Sequence, residues 1–340
     1  MSMTKKLLSM FARVATAGVI GLAGVLQSAQ AEVVELKVSH FLPPNHTFHK
    51  ELLRWSEDLL KKSNGQLVLK VFPASQMGPL PRQFDLARTG VADMALGLHG
   101  STPGRFPMTE LVQLPYLVTS SAKSSALMTE LAPKYLAEEH GGVRILYLLT
   151  TSPLKFHMSK AKIDSMADFK GLRIRYVGES FANTIKAFGG VPVAVSPAET
   201  ADAMSKGIVD GAMFPYEGAQ SFQLGTETKY SYEPGISAAT FFLVMNPKSY
   251  DKLSPDLRKL IDDTTGPAAA RRVGDILENV VETEGRTYME SKGTKIVSFS
   301  DKAITEMKAA VAPQVAEAVS KVDSKNLPGS AFYKAMLQAK

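Results

Sequence analysis

Residues 168–216, DFKGLRIRYVGESFANTIKAFGGVPVAVSPAETADAMSKGIVDGAMFPY, decide the fold. Leu172 to Tyr176 alternates apolar and charged side chains. A strand there turns Arg173 and Arg175 to one face and Leu172 and Ile174 to the other. Ser180 to Phe188 has helical spacing and stops at Gly189-Gly190, and Val191 to Val195 reads as a second strand. This is a βαβ unit, which places two parallel strands side by side with a helix across them. Ser196-Pro-Ala-Glu199 is a capping box with proline at the first helical position, and its helix runs to Lys206. Gly207 to Phe214 then returns as a third short strand.

Working outward, the N-terminal side repeats the pattern. Glu35 to Ser39 is a strand, Thr47 to Lys62 a helix ending near Asn64-Gly65, and Gln66 to Phe72 a strand. A helix over Pro81 to Arg88 stops at Gly90 and leads into Val91 to Leu96. Both Gly90-Val-Ala-Asp-Met-Ala and Gly207-Ile-Val-Asp-Gly-Ala follow a helix end with glycine, two apolar residues, Asp, any residue and Ala. The reading is one equivalent corner in each of two similar lobes, although two short helix-to-strand corners can also coincide by chance. Further on come a loop and short helix (98–117), a helix over Ala122 to Glu139, a strand over Arg144 to Thr150 and an extended Lys155 to His157. Thr240 to Val244 is another strand. Helices follow from Ser254 to Asp263 and from Ala268 to Ser291, then a strand over Ile296 to Phe299 and a last helix over Ala303 to Val322. No low-complexity linker interrupts the chain, so it passes between two lobes through strands and the long helix.

The composition is that of an ordinary globular protein: 340 residues, 45% hydrophobic, 21% charged and no cysteine. Lys5 and Lys6, the apolar run Val14 to Leu26 and Ala29-Gln30-Ala31 make a secretory signal, with cleavage expected after Ala31. Lys5, Lys6 and Arg13 precede the first acid, Glu32, so cleavage lowers the formal charge from +6 to +3. That mild excess, without basic runs interleaved with aromatics, argues against nucleic-acid binding. Lacking cysteine, the chain can carry neither a lipid-modified N-terminal Cys nor a disulfide framework, which fits an exported periplasmic protein.

Motifs for catalysis are absent. No HExxH or cysteine pair joins the six histidines, Gly178-Glu-Ser180 lacks the second glycine of a nucleophile elbow, and there is no P-loop or dinucleotide turn. No cofactor or metal is expected. Arg175, by contrast, ends its strand where ligands of open parallel sheets sit. Its guanidinium can grip a carboxylate through two parallel hydrogen bonds. A solvated or structural role remains the reading for Arg173.

VFPASQMG (71–78), the Gly-Val-Ala-Asp corner, FPMTELVQLPYL (106–117), DFKGLRIR (168–175) and the Gly-Ile-Val-Asp-Gly corner together resemble the periplasmic solute-binding subunits of TRAP transporters, the DctP-type receptors. The resemblance covers the whole chain after the signal. It implies an α/β, two-lobed periplasmic binding protein fold with parallel or mixed sheets, strand hinges and a long connecting helix. The lobes are expected at 32–152 plus 241–280 and at 153–240 plus 281–340. It implies a non-catalytic receptor that binds a small organic acid and delivers it to membrane permease subunits; a monomer is expected. The family's carboxylate clamp falls on Arg175, and Lys155 lies where some members place a second basic contact, with His157 on the same face.

Sugar-acid binders of the family commonly carry Asn after the V-D-G corner, where this chain has Phe214. That aromatic face, with Tyr216, the loop His40-Phe41 with His46, and the Leu98-His99 corner, suits an aromatic monocarboxylate of benzoate, phenylacetate, mandelate or cinnamate type. The alternatives are a short aliphatic or hydroxy carboxylate, a secreted hydrolase or isomerase acting on a carboxylate, and a receptor serving an ABC-type importer or a signalling protein.

Overall fold

The computed structural model describes residues 33–339; the expected signal over 1–31 lies outside them. In chain order the first half comprises β1 (Val34–His40), α1 (Thr47–Lys62), β2 (Leu67–Phe72), α2 (Gln83–Thr89), β3 (Met94–Leu98), α3 (Ser121–Tyr135), β4 (Arg144–Thr150), β5 (Leu154–Met158), β6 (Arg173–Tyr176) and α4 (Glu179–Ala187). The second half comprises β7 (Val191–Ala194), α5 (Thr200–Ser205), β8 (Gly211–Phe214), α6 (Tyr216–Ser221), β9 (Tyr230–Ser237), β10 (Thr240–Met245), α7 (Pro247–Asp251), α8 (Pro255–Thr264), α9 (Gly266–Asp275), α10 (Glu282–Ser291), β11 (Lys295–Ser298), α11 (Asp301–Asp323) and α12 (Gly329–Met336).

Two mixed sheets define the two lobes, with strand orders β2-β1-β3-β10-β4 and β11-β9-β5-β8-β6-β7. Each contains the same parallel triplet, β2-β1-β3 in one and β7-β6-β8 in the other, closed on the β3 or β8 side by an antiparallel strand, β10 or β5. The corners into β3 and β8 are built alike. Gly90 and Gly207 both take left-handed backbone, at φ 79° and 65°, a conformation that glycine adopts without steric cost. Three residues later Asp93 accepts the backbone N–H of Lys37 in β1 at 2.8 Å, and Asp210 accepts that of Arg173 in β6 at 2.8 Å. Asp210 also holds the exposed Arg173 guanidinium at 2.8 Å, so Arg173 fastens a corner.

The chain crosses between sheets from β4 to β5, from β9 to β10, and through the helical run 266–291. That run is broken at Ile276–Val281 by π-type winding, a device for re-aiming a helix. Before the break α9 packs on α3 and β4; after it α10 packs on α6. Phe332 and Met336 of α12 join Phe84, Phe106 and Leu148 in an apolar cluster on the first sheet's side, while Met307 and Val311 of α11 belong to a cluster spanning both sheets. No helix among the described residues is long and apolar enough to cross a membrane.

Candidate functional site

The carboxyl ends of β1, β3, β6 and β8 face one another across the gap between the sheets, and side chains just beyond them enclose a cavity. Its volume is about 50 Å³. Phe41, Leu98 and Phe241 come from the first sheet's side, and Arg175, Met213 and Phe214 from the second. The walls are otherwise mostly apolar, with Phe181 and Phe222 adding rings, and polar groups enter at Thr151, His46 and Glu217.

Phe41 is held in place by the VFPASQMG motif. Ala74 and Ser75 take positive φ and return their backbone N–H groups to the carbonyls of Leu42 (2.9 Å) and His40 (3.0 Å), clasping the loop that carries Phe41. Its ring stacks on Phe241 with centroids 6.1 Å apart and planes 11° from parallel.

Arg175 is the decisive side chain. It is 3% exposed, yet no carboxylate pairs with it among the described residues. Nε donates to the Val195 carbonyl at 2.9 Å and Nη1 to that of Met213 at 3.4 Å, while Nη2 is buried without a partner. The guanidinium lies 4.2 Å over the Phe214 ring. Burial alone pulls its pKa down to about 9, so it remains a cation at neutral pH. A guanidinium so placed still has hydrogen-bond donors to offer an anion that brings two acceptors. Phe214 packs with Tyr216, Leu224 and Met289 on one side and lines the cavity on the other.

Of the other residues named from sequence, His46 lines the cavity, while His40, His99, Lys155, His157 and Tyr216 stand outside it. Phe41 and Leu98 face in, which turns their neighbours His40 and His99 away. His40 Nδ1 accepts from the Leu42 backbone N–H at 3.1 Å, so its Nε2 donates to His49 Nδ1 at 2.9 Å. His140 Nδ1 donates to the Leu136 carbonyl at 2.9 Å, so its Nε2 accepts from His99 at 3.0 Å. In β5 Leu154 lines the cavity; Lys155 and His157 lie in register with Phe214 and Ala212 of β8 and are held by other partners outside it. Lys155 pairs with Glu282 and lies 4.8 Å over the Tyr216 ring. Tyr216 donates to Glu233 at 2.9 Å. His157 donates from Nε2 to the Phe214 carbonyl at 3.1 Å and accepts from Ser231 at 2.8 Å, so it fastens the end of β8. Among the described residues no group of three or more His, Asp or Glu side chains could hold a metal ion.

Sequence reasoning missed Glu217, Phe222, Phe181 and Phe241. Glu217 and Phe222 lie on and just after α6, a single turn and a half with no periodicity to read. Phe181 and Phe241 sit on elements that were read, but nothing in sequence says which of their faces meets the opposite lobe.

A two-lobed α/β fold with a cation buried in the cleft between lobes is the architecture of a solute receptor. The chain belongs to the bacterial extracellular solute-binding proteins of family 7, whose pattern matches residues 38–321, and is a solute-binding subunit of the TRAP type. It is similar to a TRAP solute-binding protein from Rhodoferax ferrireducens T118 solved with copurified benzoate. The two share 28% identity over 90% of this chain and 97% of that one, with a TM-score of 0.86. A marine metagenome TRAP protein specific for aromatic acid ligands, solved with 3-hydroxybenzoate, is 29% identical over 91% and 98% of the two chains, with a TM-score of 0.87. A Bordetella bronchiseptica TRAP protein with bound (R)- and (S)-mandelate is 26% identical over 90% and 98%, with a TM-score of 0.84.

Proposed function

We propose that this protein is a periplasmic receptor that captures a small aromatic monocarboxylate between its lobes and delivers it, as a monomer, to TRAP permease subunits. The observation that carries the reading is Arg175: a buried guanidinium with no counter-ion among the described residues, stacked on Phe214 in a mostly apolar cavity. A carboxylate supplies the missing charge through a bidentate grip, and a flat ring fills the space between Phe41, Phe214 and Phe181. Burying such a ring contributes roughly 25 cal/mol per Å² of apolar area. The three related receptors that bind benzoate, 3-hydroxybenzoate and mandelate support the ligand class. The experiment is a thermal-shift screen of aromatic, aliphatic and sugar acids, followed by calorimetry. A ligand at a hundred times its Kd adds about 2.7 kcal/mol of stability. Stabilisation by sugar acids or short aliphatic acids alone would replace the aromatic reading.

Capture requires that the lobes close, and Gly100 sits where they touch. A Cβ there would meet Gly178 Cα at 2.9 Å and the Val177 carbonyl at 3.0 Å, both backbone atoms of the opposite lobe. Ser180 also donates across this seam to the Gln113 carbonyl at 3.1 Å. Gly100→Val is therefore expected to wedge the lobes apart. Affinity for the acid should fall by about ten-fold or more, with ligand-free unfolding little changed, because the clash lies between lobes and not inside one. Calorimetry with unfolding curves checks this; undiminished affinity would show that closure does not pass through this contact.

A further inference from the structure

We propose that Glu217 reads the end of the ligand remote from its carboxylate: the acid carries a hydroxyl on its ring, and Glu217 Oε2 accepts that hydroxyl's hydrogen bond. The inference rests on the aromatic-acid reading above and deepens it. Arg175 and Glu217 line the same cavity with two rings between them. The guanidinium is 4.2 Å from the Phe214 centroid, Phe214 is 5.9 Å from Phe222, and Phe222 is 6.1 Å from His46, whose Nδ1 lies 3.3 Å from Glu217 Oε1. A ligand gripped at Arg175 and lying along this wall presents its far edge to Glu217.

Glu217 is only 5% exposed, so its acceptors need donors. The protein satisfies one oxygen. Oε1 takes the backbone N–H of Thr47 at 3.2 Å and the Ser221 hydroxyl at 3.1 Å. His46 offers no proton, because its Nδ1 already accepts from the Phe48 N–H at 3.2 Å and burial lowers its pKa, keeping the ring neutral. Oε2 receives no hydrogen bond from any described residue. A carboxylate oxygen in a mostly apolar cavity favours a ligand that brings an O–H and disfavours an ether or a second carboxylate at the same place.

The test is calorimetry on the wild type and on Glu217→Gln with benzoate, 3- and 4-hydroxybenzoate and their methoxy counterparts. In the wild type the better hydroxy acid should bind about ten-fold or more tighter than its methoxy ether, and in Glu217→Gln that ratio should shrink to about three-fold or less. Gln keeps an oxygen for Thr47 and Ser221, and the wild-type series decides the matter even if the variant is unstable. Equal binding of hydroxy and methoxy acids, or a ratio that survives Glu217→Gln, overturns the proposal. If benzoate binds through Arg175 while the hydroxyl brings no advantage, this inference fails and the receptor reading stands. If no aromatic acid binds, both fail.

Discussion

Arg175→Met is expected to abolish tight binding of the acid while leaving the ligand-free protein as stable as the wild type or more so. Both halves follow from one fact, the burial of a cation that has no counter-ion among the described residues. In the ligand-free state the guanidinium gains two carbonyl contacts and a ring face but has lost its water, and Nη2 has no partner. Replacing a buried charge by an apolar side chain of similar volume is often neutral or stabilising. Once the ligand is bound, the fork supplies two charge-assisted hydrogen bonds, each contributing roughly 1.5–3 kcal/mol. Their loss should weaken binding by about a hundred-fold to ten-thousand-fold or more. Arg175→Lys keeps the charge but not the planar pair of donors, and should fall between the two. Calorimetry and denaturant unfolding of the three proteins read both quantities. Binding by Arg175→Met within about three-fold of wild type would move the clamp elsewhere.

Arg175 was legible because a strand end is marked by its own alternation and by the glycines that stop the next helix. The same regularity exposed the βαβ units and both glycine corners. β9 was not legible: Pro234 and Gly235 interrupt Tyr230–Ser237 and disguise it, yet a Cβ at Gly235 would come within 2.4 Å of the Pro153 carbonyl, so the strand needs glycine there. The histidines show a different limit. Residue type made His40, His99 and His157 look like ligand contacts, and Lys155 look like a second cation for the acid. Which partner each one has depends on segments far away in sequence, His140 for His99, Ser231 for His157 and Glu282 for Lys155. Alternation tells which residues share a face but not which face looks into the cleft. That is decided by the packing of the two sheets, as is the convergence of Phe41, Phe181, Phe222 and Phe241.

Those same histidines should make the ligand-free protein acid-labile well above the usual carboxylate range. All six histidines of the chain are buried, and every one has its pKa lowered, in each case chiefly by burial. His40 and His157 fall to about 3 and His140 to about 4. The hydrogen bonds demand neutrality: in the His40–His49 and His99–His140 pairs one ring donates and the other must accept. A histidine held neutral in the fold and free to protonate when unfolded gives the unfolded chain more bound protons below about pH 6.5. Stability is therefore complete above about pH 6.5 and is lost as the pH falls toward 4 and then 3. Glu110 and Glu139 act the other way, since burial raises both to about 7 and their retained protons favour the fold as the pH drops from 7 to 4.5. Six groups oppose two, and each tenfold change in a group's proton affinity is worth about 1.4 kcal/mol, so the net loss between about pH 6.5 and 4 should reach several kcal/mol. Urea unfolding at half-unit steps of pH measures it. His157→Gln, which keeps a donor for the Phe214 carbonyl, should flatten part of the slope, and a midpoint unchanged across that range would mean that these rings protonate without disturbing the fold.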